Sequence, residues 1–264
     1  MTRAIVDGVP GWALSLVVVG AVVGVVLVGV RVVRRRVPIT RDGFDAEVSS
    51  QMLGVVASLF GLLLAFVIVI EFQAFNGASE KVQEEADGLA AIVRDSEAFP
   101  EPAGTRVREA VGAYARAVRE DEWPRMREGE ESDLAWQGID RLFAAMQATT
   151  PVTVTQTAFY EDSVRQLNDV LAARRDRLAA NEGDLPAPIA ALVLVGALVI
   201  LGYATLVGSR STAFHAIGAG AIAVIVSFSL VVLLFLQFPF SGDLAVGSEP
   251  FAEGVLAPLG SRGP

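Results

Sequence analysis

Residues 48–70 read VSSQMLGVVASLFGLLLAFVIVI, a run with no Asp, Glu, Lys or Arg. The chain continues from residue 71 as EFQAFNGASEKVQEEADGLAAIVRD, with no proline before Pro100. A helix crosses the hydrocarbon of a bilayer with about 20 such residues. Beyond the uncharged run, apolar positions recur at Phe75, Ala78, Val82, Ala86, Leu89 and Val93. Their spacing of three and four marks one face of a helix in the manner of a coiled coil. The stretch therefore predicts one helix that begins in lipid and ends in water, stopped by Pro100 and Pro102.

Outward from it, residues 8–30, 185–209 and 211–242 also lack charged side chains, and each is long enough to span. In the first of these the arginines follow the apolar run, which argues for a retained span over a cleaved leader. The expected fold is an all-α integral membrane protein: four transmembrane helices with an all-helical soluble insert between spans two and three. Residues 1–71 form a transmembrane hairpin with spans at about 11–31 and 50–71, and 186–242 a second with spans at about 187–208 and 214–238. Residues 243–264, rich in Gly, Ser and Pro, read as a flexible tail, with one short turn after Ser248 lying on the membrane surface. Pro239 ends span four, with Phe238 and Phe240 expected at the lipid interface.

Composition agrees, with 53% hydrophobic residues among 264 and a mean hydropathy of +0.50. The chain has no cysteine, so disulfides, thiolate zinc sites and thiol nucleophiles are excluded. His215 is its only histidine, which removes most metal and triad chemistry. Ser49, Ser50, Ser227 and Ser229 have no plausible base, and no glycine loop cradles a phosphate. No enzyme activity, cofactor or metal is expected.

The net charge of −9 sits wholly in the insert, residues 72–185, an acidic surface that repels nucleic acid and attracts cations. Four helices are expected there. The first continues span two, the second is capped by Thr105 and ended by Trp123 and Pro124, and the third starts at Ser132. The fourth runs through Tyr160, Val164, Leu167, Leu171 and Leu178. Arg125 to Glu131 reads as a solvated loop. The two outer helices can pair antiparallel, which sets Glu84 and Glu85 beside Arg174 and Arg175, either as ion pairs or as ordinary solvated charges. Arg31, Arg34, Arg35, Arg36 and Arg41 after span one, and Arg210 between spans three and four, resist translocation. That bias places both termini and the insert on the outer side of the cell membrane.

In the spans, Gly20 and Gly24, and Ala216, Gly220, Ala223 and Ser227, form small-residue steps suited to close helix packing. Phe60, Phe66 and Phe72 recur at six-residue steps and read either as pore constrictions or as lipid-facing bulk. Glu71, Gln73 and Asn76 read either as a polar ring at a pore mouth or as hydrated groups at a helix exit. His215 reads either as a headgroup-level residue or as a proton relay.

The order of several pieces resembles the bestrophin-like membrane family, whose domain has no assigned function and which is widespread in bacteria. The pieces are SLFGLLLAFVI in span two, VQEEA with Glu85 and Ala86, Tyr114, the pair Glu122 and Trp123, PFSG from Pro239 through Phe240 to Gly242, and a following VGSEPF. The resemblance implies four membrane helices with an all-helical insert and, by its name, an oligomeric anion channel. The bestrophin calcium clasp has no counterpart in this sequence, so calcium gating is not carried over. Bestrophins keep their large connecting region cytoplasmic, the opposite of what the arginine bias gives here. The expected function is an oligomeric ion channel with span two lining the path. Its partners are the lipid bilayer, further copies of the chain and inorganic ions, with no nucleic acid. The alternative is a nonconducting membrane protein whose insert senses or binds an envelope partner.

Overall fold

A computed structural model of the chain describes residues 8, 10–36, 44–183, 185–207 and 211–260. Most of these residues are helical, with no strand among them. The helices are α1 (Gly11–Arg36), α2 (Phe44–Asp95), α3 (Ala103–Ala117), α4 (Trp123–Glu128), α5 (Asp133–Gln147), α6 (Val154–Asn181), α7 (Ala187–Leu206), α8 (Thr212–Leu236) and the short α9 (Ala257–Gly260). Four of them are long and apolar enough to cross a membrane: α1, the first part of α2, α7 and α8. The described residues divide into two compact units, one of residues 8–73 and 185–237, the other of 74–183 and 238–260.

In the apolar unit α1 packs on α8. Val26 and Val30 meet Ala219 and Ala223, small residues that let the two backbones come close. The seam expected on span four is used: Ala223 and Ser227 are fully buried, and Ala216 and Gly220 are half-buried. Gly20 and Gly24 are not packed, since a Cβ at either would meet nothing within 4 Å; the close step on α1 is Gly29, where a Cβ would lie 3.2 Å from Thr205 Cγ2. First-part α2 packs through Phe60 and Leu64 against Val193, Ala197 and Ile200 of α7 and Val226 and Leu233 of α8. Gly196 makes room for the Phe60 ring, which a Cβ there would approach to 2.5 Å.

The helical unit is built on second-part α2 and α6, which run antiparallel. Gly88 lies against Val170, with a built Cβ only 2.6 Å from Val170 Cγ2, and Ser163 Oγ donates to Asp95 Oδ2 at 3.2 Å. The seam from Ala78 to Val93 on α2 joins Val107, Val111 and Tyr114 of α3, Ile139, Leu142 and Met146 of α5, and Leu167 and Val170 of α6 in one core. Helix starts follow local chemistry. Ser132 Oγ accepts from Ala135 N at 3.0 Å, and Thr153 and Gln156 form a reciprocal capping box at the start of α6, each satisfying a backbone donor that the first turn leaves open.

Several expectations fail here. The second insert helix starts at Ala103, so Thr105 lies inside it. It does not stop at Trp123 and Pro124, because a π turn, Val118–Glu122, leads directly into α4. Pro124 is accommodated in the first turn of α4, where its missing N–H is not needed. Residues 125–128 are thus helical, and Gly129, at φ 86°, provides the left-handed end. The tail is packed over its described part, where a free segment was expected. Phe251 and Leu256 are buried in the helical core, Trp123 Nε1 donates to Val246 O at 3.2 Å, and Arg116 donates to Leu259 O. Nor does Phe240 rest against lipid: it is 1% exposed and meets Trp123 edge-on with ring centroids 5.7 Å apart. Residues 238–242 accordingly belong with the helical unit, not with span four. Arg41 and Arg210, used for orientation, lie outside the described residues.

Candidate functional site

The pore residues expected on α2 do not share a face. A six-residue step turns an α-helix by about 240°, so three rings so spaced point three ways. Phe60 is turned into the apolar unit's own core, whereas Phe66 and Phe72 are 60% and 52% exposed. Gln73 and Asn76 are exposed. Glu71 is 5% exposed, on the same side of α2 as Phe60 and Leu64, and it does not project outward as a ring at a mouth requires.

The helical unit holds the strongest polar constellation. Glu85, Glu122, Arg174, Arg177 and Tyr114 are all fully buried. Arg174 grips Glu122 with both terminal nitrogens, Nη2 to Oε1 at 2.5 Å and Nη1 to Oε2 at 3.0 Å. Arg177 grips Glu85 through Nε to Oε2 at 2.7 Å and Nη2 to Oε1 at 3.2 Å, and its Nη2 also donates to Glu122 Oε2 at 2.9 Å. Tyr114 closes the chain, its hydroxyl donating to Glu85 Oε1 at 2.5 Å and accepting from Arg174 Nη1 at 3.3 Å. The guanidinium of Arg174 lies 4.5 Å from the Trp136 ring centroid, and that of Arg177 lies 5.1 Å from Trp123 and 5.9 Å from Phe251. Each guanidinium thus lies against aromatic rings while its terminal nitrogens are hydrogen-bonded to carboxylates.

These pairs correct the expected ones. Glu84 is exposed and takes a bond from Lys81 Nζ at 2.7 Å, and Arg175 is exposed, donating to Leu171 O. Glu85 pairs with Arg177 instead of Arg174 or Arg175, because α3 and the π turn bring Glu122 between the outer helices and capture Arg174. The π turn matters locally: with one extra residue in the turn, adjacent Glu122 and Trp123 both face inward, 0% and 6% exposed.

Two positive and two negative groups balance one another in a space closed to water. Burial pushes the Glu122 carboxyl above the ordinary value, against the pull of Arg177 and Arg174. Burial, with the Glu85 charge, holds the Tyr114 hydroxyl well above its usual range and therefore neutral. Burial opposes the Arg177 charge, yet Glu85 and Glu122 hold its pKa above the ordinary arginine value. A cluster so enclosed presents no reacting atom. Its chemistry is positional, since bidentate arginine–carboxylate pairs accept only a narrow geometry. No group of His, Asp and Glu able to hold a metal ion occurs among the described residues.

The sequence places Trp136 on the apolar face of the third insert helix and Arg177 among the charges near the membrane, with neither in a buried ion cluster. The buried face of α6 carries Ser163, Arg174, Arg177 and Asn181 among Leu167, Val170, Ala173 and Leu178. Polar residues interspersed on a buried face interrupt its hydrophobic period and read as solvated positions. The one available signal was the family resemblance, whose pieces Glu85, Tyr114, Glu122, Trp123, Phe240 and Phe251 all converge on this cluster.

A family model of the bestrophin-like domain matches residues 20–251. No curated protein and no solved structure matches the chain. The chain belongs to the bestrophin-like family, and with its four apolar helices it is a membrane protein.

Proposed function

We propose that this bestrophin-like chain is one subunit of an oligomeric ion channel in the cell membrane, with four spans, a helical insert and the apolar part of α2 lining the path. The observation that carries this reading is the bareness of α2. Only 17% of its most apolar window is buried. Gly54, Ser58, Gly61 and Ala65 form an exposed stripe along it, and a Cβ at Gly54 or Gly61 would meet nothing within 4 Å. Phe72 and Asn76 continue that stripe by helical spacing. Leu59, Leu62 and Phe66 make a separate bulky side, 56–65% exposed. Lipid suits the bulky side, and a path or a neighbouring subunit suits the small, hydroxyl-bearing one.

Native mass measurement of the purified protein, followed by planar-bilayer recording, tests this. Expected are an oligomer, a current, and a unitary conductance reduced at least several-fold by Gly61→Trp but little changed by Leu59→Trp. A strict monomer, or an oligomer without current, leaves the nonconducting, partner-binding reading in its place. The acidic insert concentrates cations at one entrance, so the reversal potential in a KCl gradient decides between cation preference and the anion preference that the family name suggests. The reading includes no enzymatic step. It keeps the insert and both termini on the outer side, as the arginine bias indicates. Because the chain lacks cysteine, a single exposed Glu130→Cys reports that side by labelling of intact cells with an impermeant reagent; Ser132 is unsuitable, being buried as a cap.

A further inference from the structure

In the apolar unit, a cavity of about 290 Å³ lies where α2, α7 and α8 meet, lined among others by Ser50, Leu53, Ala204, Val207, Phe214 and His215. Most of this wall is apolar, and Phe214, 74% exposed, reaches the outer surface of the unit. His215 is 6% exposed. Its Nε2 lies 3.0 Å from Ala204 O, so that nitrogen carries the proton, while Nδ1 is buried with no partner. An unsatisfied buried nitrogen in a residue of the cavity wall calls for an explanation.

One turn away is the start of α8, a helix of 25 residues whose first N–H groups and dipole favour an anion. Arg34, in the last turn of α1, donates to Thr212 Oγ1 there. Arg31, Arg35 and Arg36 of the same helix are exposed and form no ion pair among the described residues. We propose that the cavity and this arginine-bearing end of the unit form a binding site for an anionic phospholipid, with the phosphate at the arginines and the start of α8 and a hydrocarbon chain in the cavity. The guanidinium edge matches phosphate oxygens. A soluble anion would gain nothing from Leu53, Val207 and Ile222, whereas an acyl chain would. A zwitterionic lipid would fill the cavity and carries the same phosphate, but its choline ammonium offsets the attraction of the arginines.

Native mass spectrometry of the purified full chain tests the site with phosphatidylglycerol, phosphatidylcholine of the same chains, and inorganic phosphate. Phosphatidylglycerol is expected to be retained preferentially, the preference falling about fivefold for each arginine removed in Arg35→Gln and Arg36→Gln. Gly218→Leu, a cavity residue at which a Cβ would meet nothing within 4 Å, is expected to fill the space and weaken phosphatidylglycerol retention with no loss of helicity. Should that variant misfold, Leu53→Phe repeats the test from α2. Equal retention of the two lipids, or parent-like retention in the cavity variants, overturns the proposal. Displacement by inorganic phosphate as effective as by lipid overturns it in favour of a free-anion site. The readout is binding and involves no current, so it stands or falls apart from the channel reading.

Discussion

Removing one partner of the Glu85, Glu122, Arg174 and Arg177 cluster strands a buried charge, and such a loss costs about 3–5 kcal/mol. Arg177→Met, which strands Glu85, is therefore expected to lower the melting temperature of the detergent-solubilised protein sharply. The paired change Glu85→Leu with Arg177→Met, which removes both charges, is expected to be much milder than Arg177→Met alone. If both melt alike, the cluster contributes no pairwise coupling. Titration adds a second expectation. Burial raises Glu122 and Asp95 above ordinary values, so the folded chain binds protons that the unfolded chain has released, and stability rises as pH falls from neutral towards the ordinary carboxylate range. Glu101, Asp121 and Asp162 are held low by hydrogen bonds from Thr105, Ser132 and Arg165 respectively. Their contribution is present above the ordinary value and is lost as pH falls through the lowered one. Melting measured against pH should therefore rise as pH falls from neutral and decline once pH falls below the ordinary carboxylate range; a monotonic fall from pH 7 downwards would contradict the raised carboxylates.

Between helices, glycine marks where backbones touch. Gly88→Ala drives a Cβ into Val170, whose β-branched side chain has few rotamers to escape into. Overpacking of this kind costs about 1–3 kcal/mol. Gly196→Ala meets the Phe60 ring in the same way. Gly54→Ala and Gly20→Ala meet nothing and are expected to leave the melting temperature within a degree or two of the parent. Comparing the four variants by thermal melting separates contacts within the chain from surfaces left for lipid or another subunit. A destabilised Gly54→Ala would show that α2 is less bare than it looks.

The helical unit is completed by chain from beyond the last apolar helix. Phe251 and Leu256 are 0% and 1% exposed, and burying side chains of this kind contributes about 1.5–3 kcal/mol each. Ending the chain at residue 246 removes both and uncovers Trp123 and one face of Arg177. The truncated protein is expected to lose the protease resistance of residues 74–183 while its apolar helices stay protected in detergent. Unchanged resistance would mean that the segment rests on a core already complete without it.

How much could be read beforehand follows from what each signal measures. Uncharged length is a property of contiguous residues, and it marked out all four apolar helices because a backbone removed from water must satisfy its own hydrogen bonds within a helix. The seam from Ala78 to Val93 and the cap at Ser132 were legible for the same reason, being set by neighbours three and four positions away. The arginine–glutamate cluster was not. Its bonded arginines and glutamates lie 52 to 92 residues apart, and a buried arginine looks like a solvated one until its carboxylate is seen beside it. Phe240 and Phe251 could not be told from interfacial aromatics, since burial against Trp123 and against lipid asks for the same side chain. Local sequence thus determined the helices and their apolar faces. Tertiary structure alone decided which charges are neutralised out of water and where the last segment docks, because those energies depend on distances that only the folded chain brings within reach.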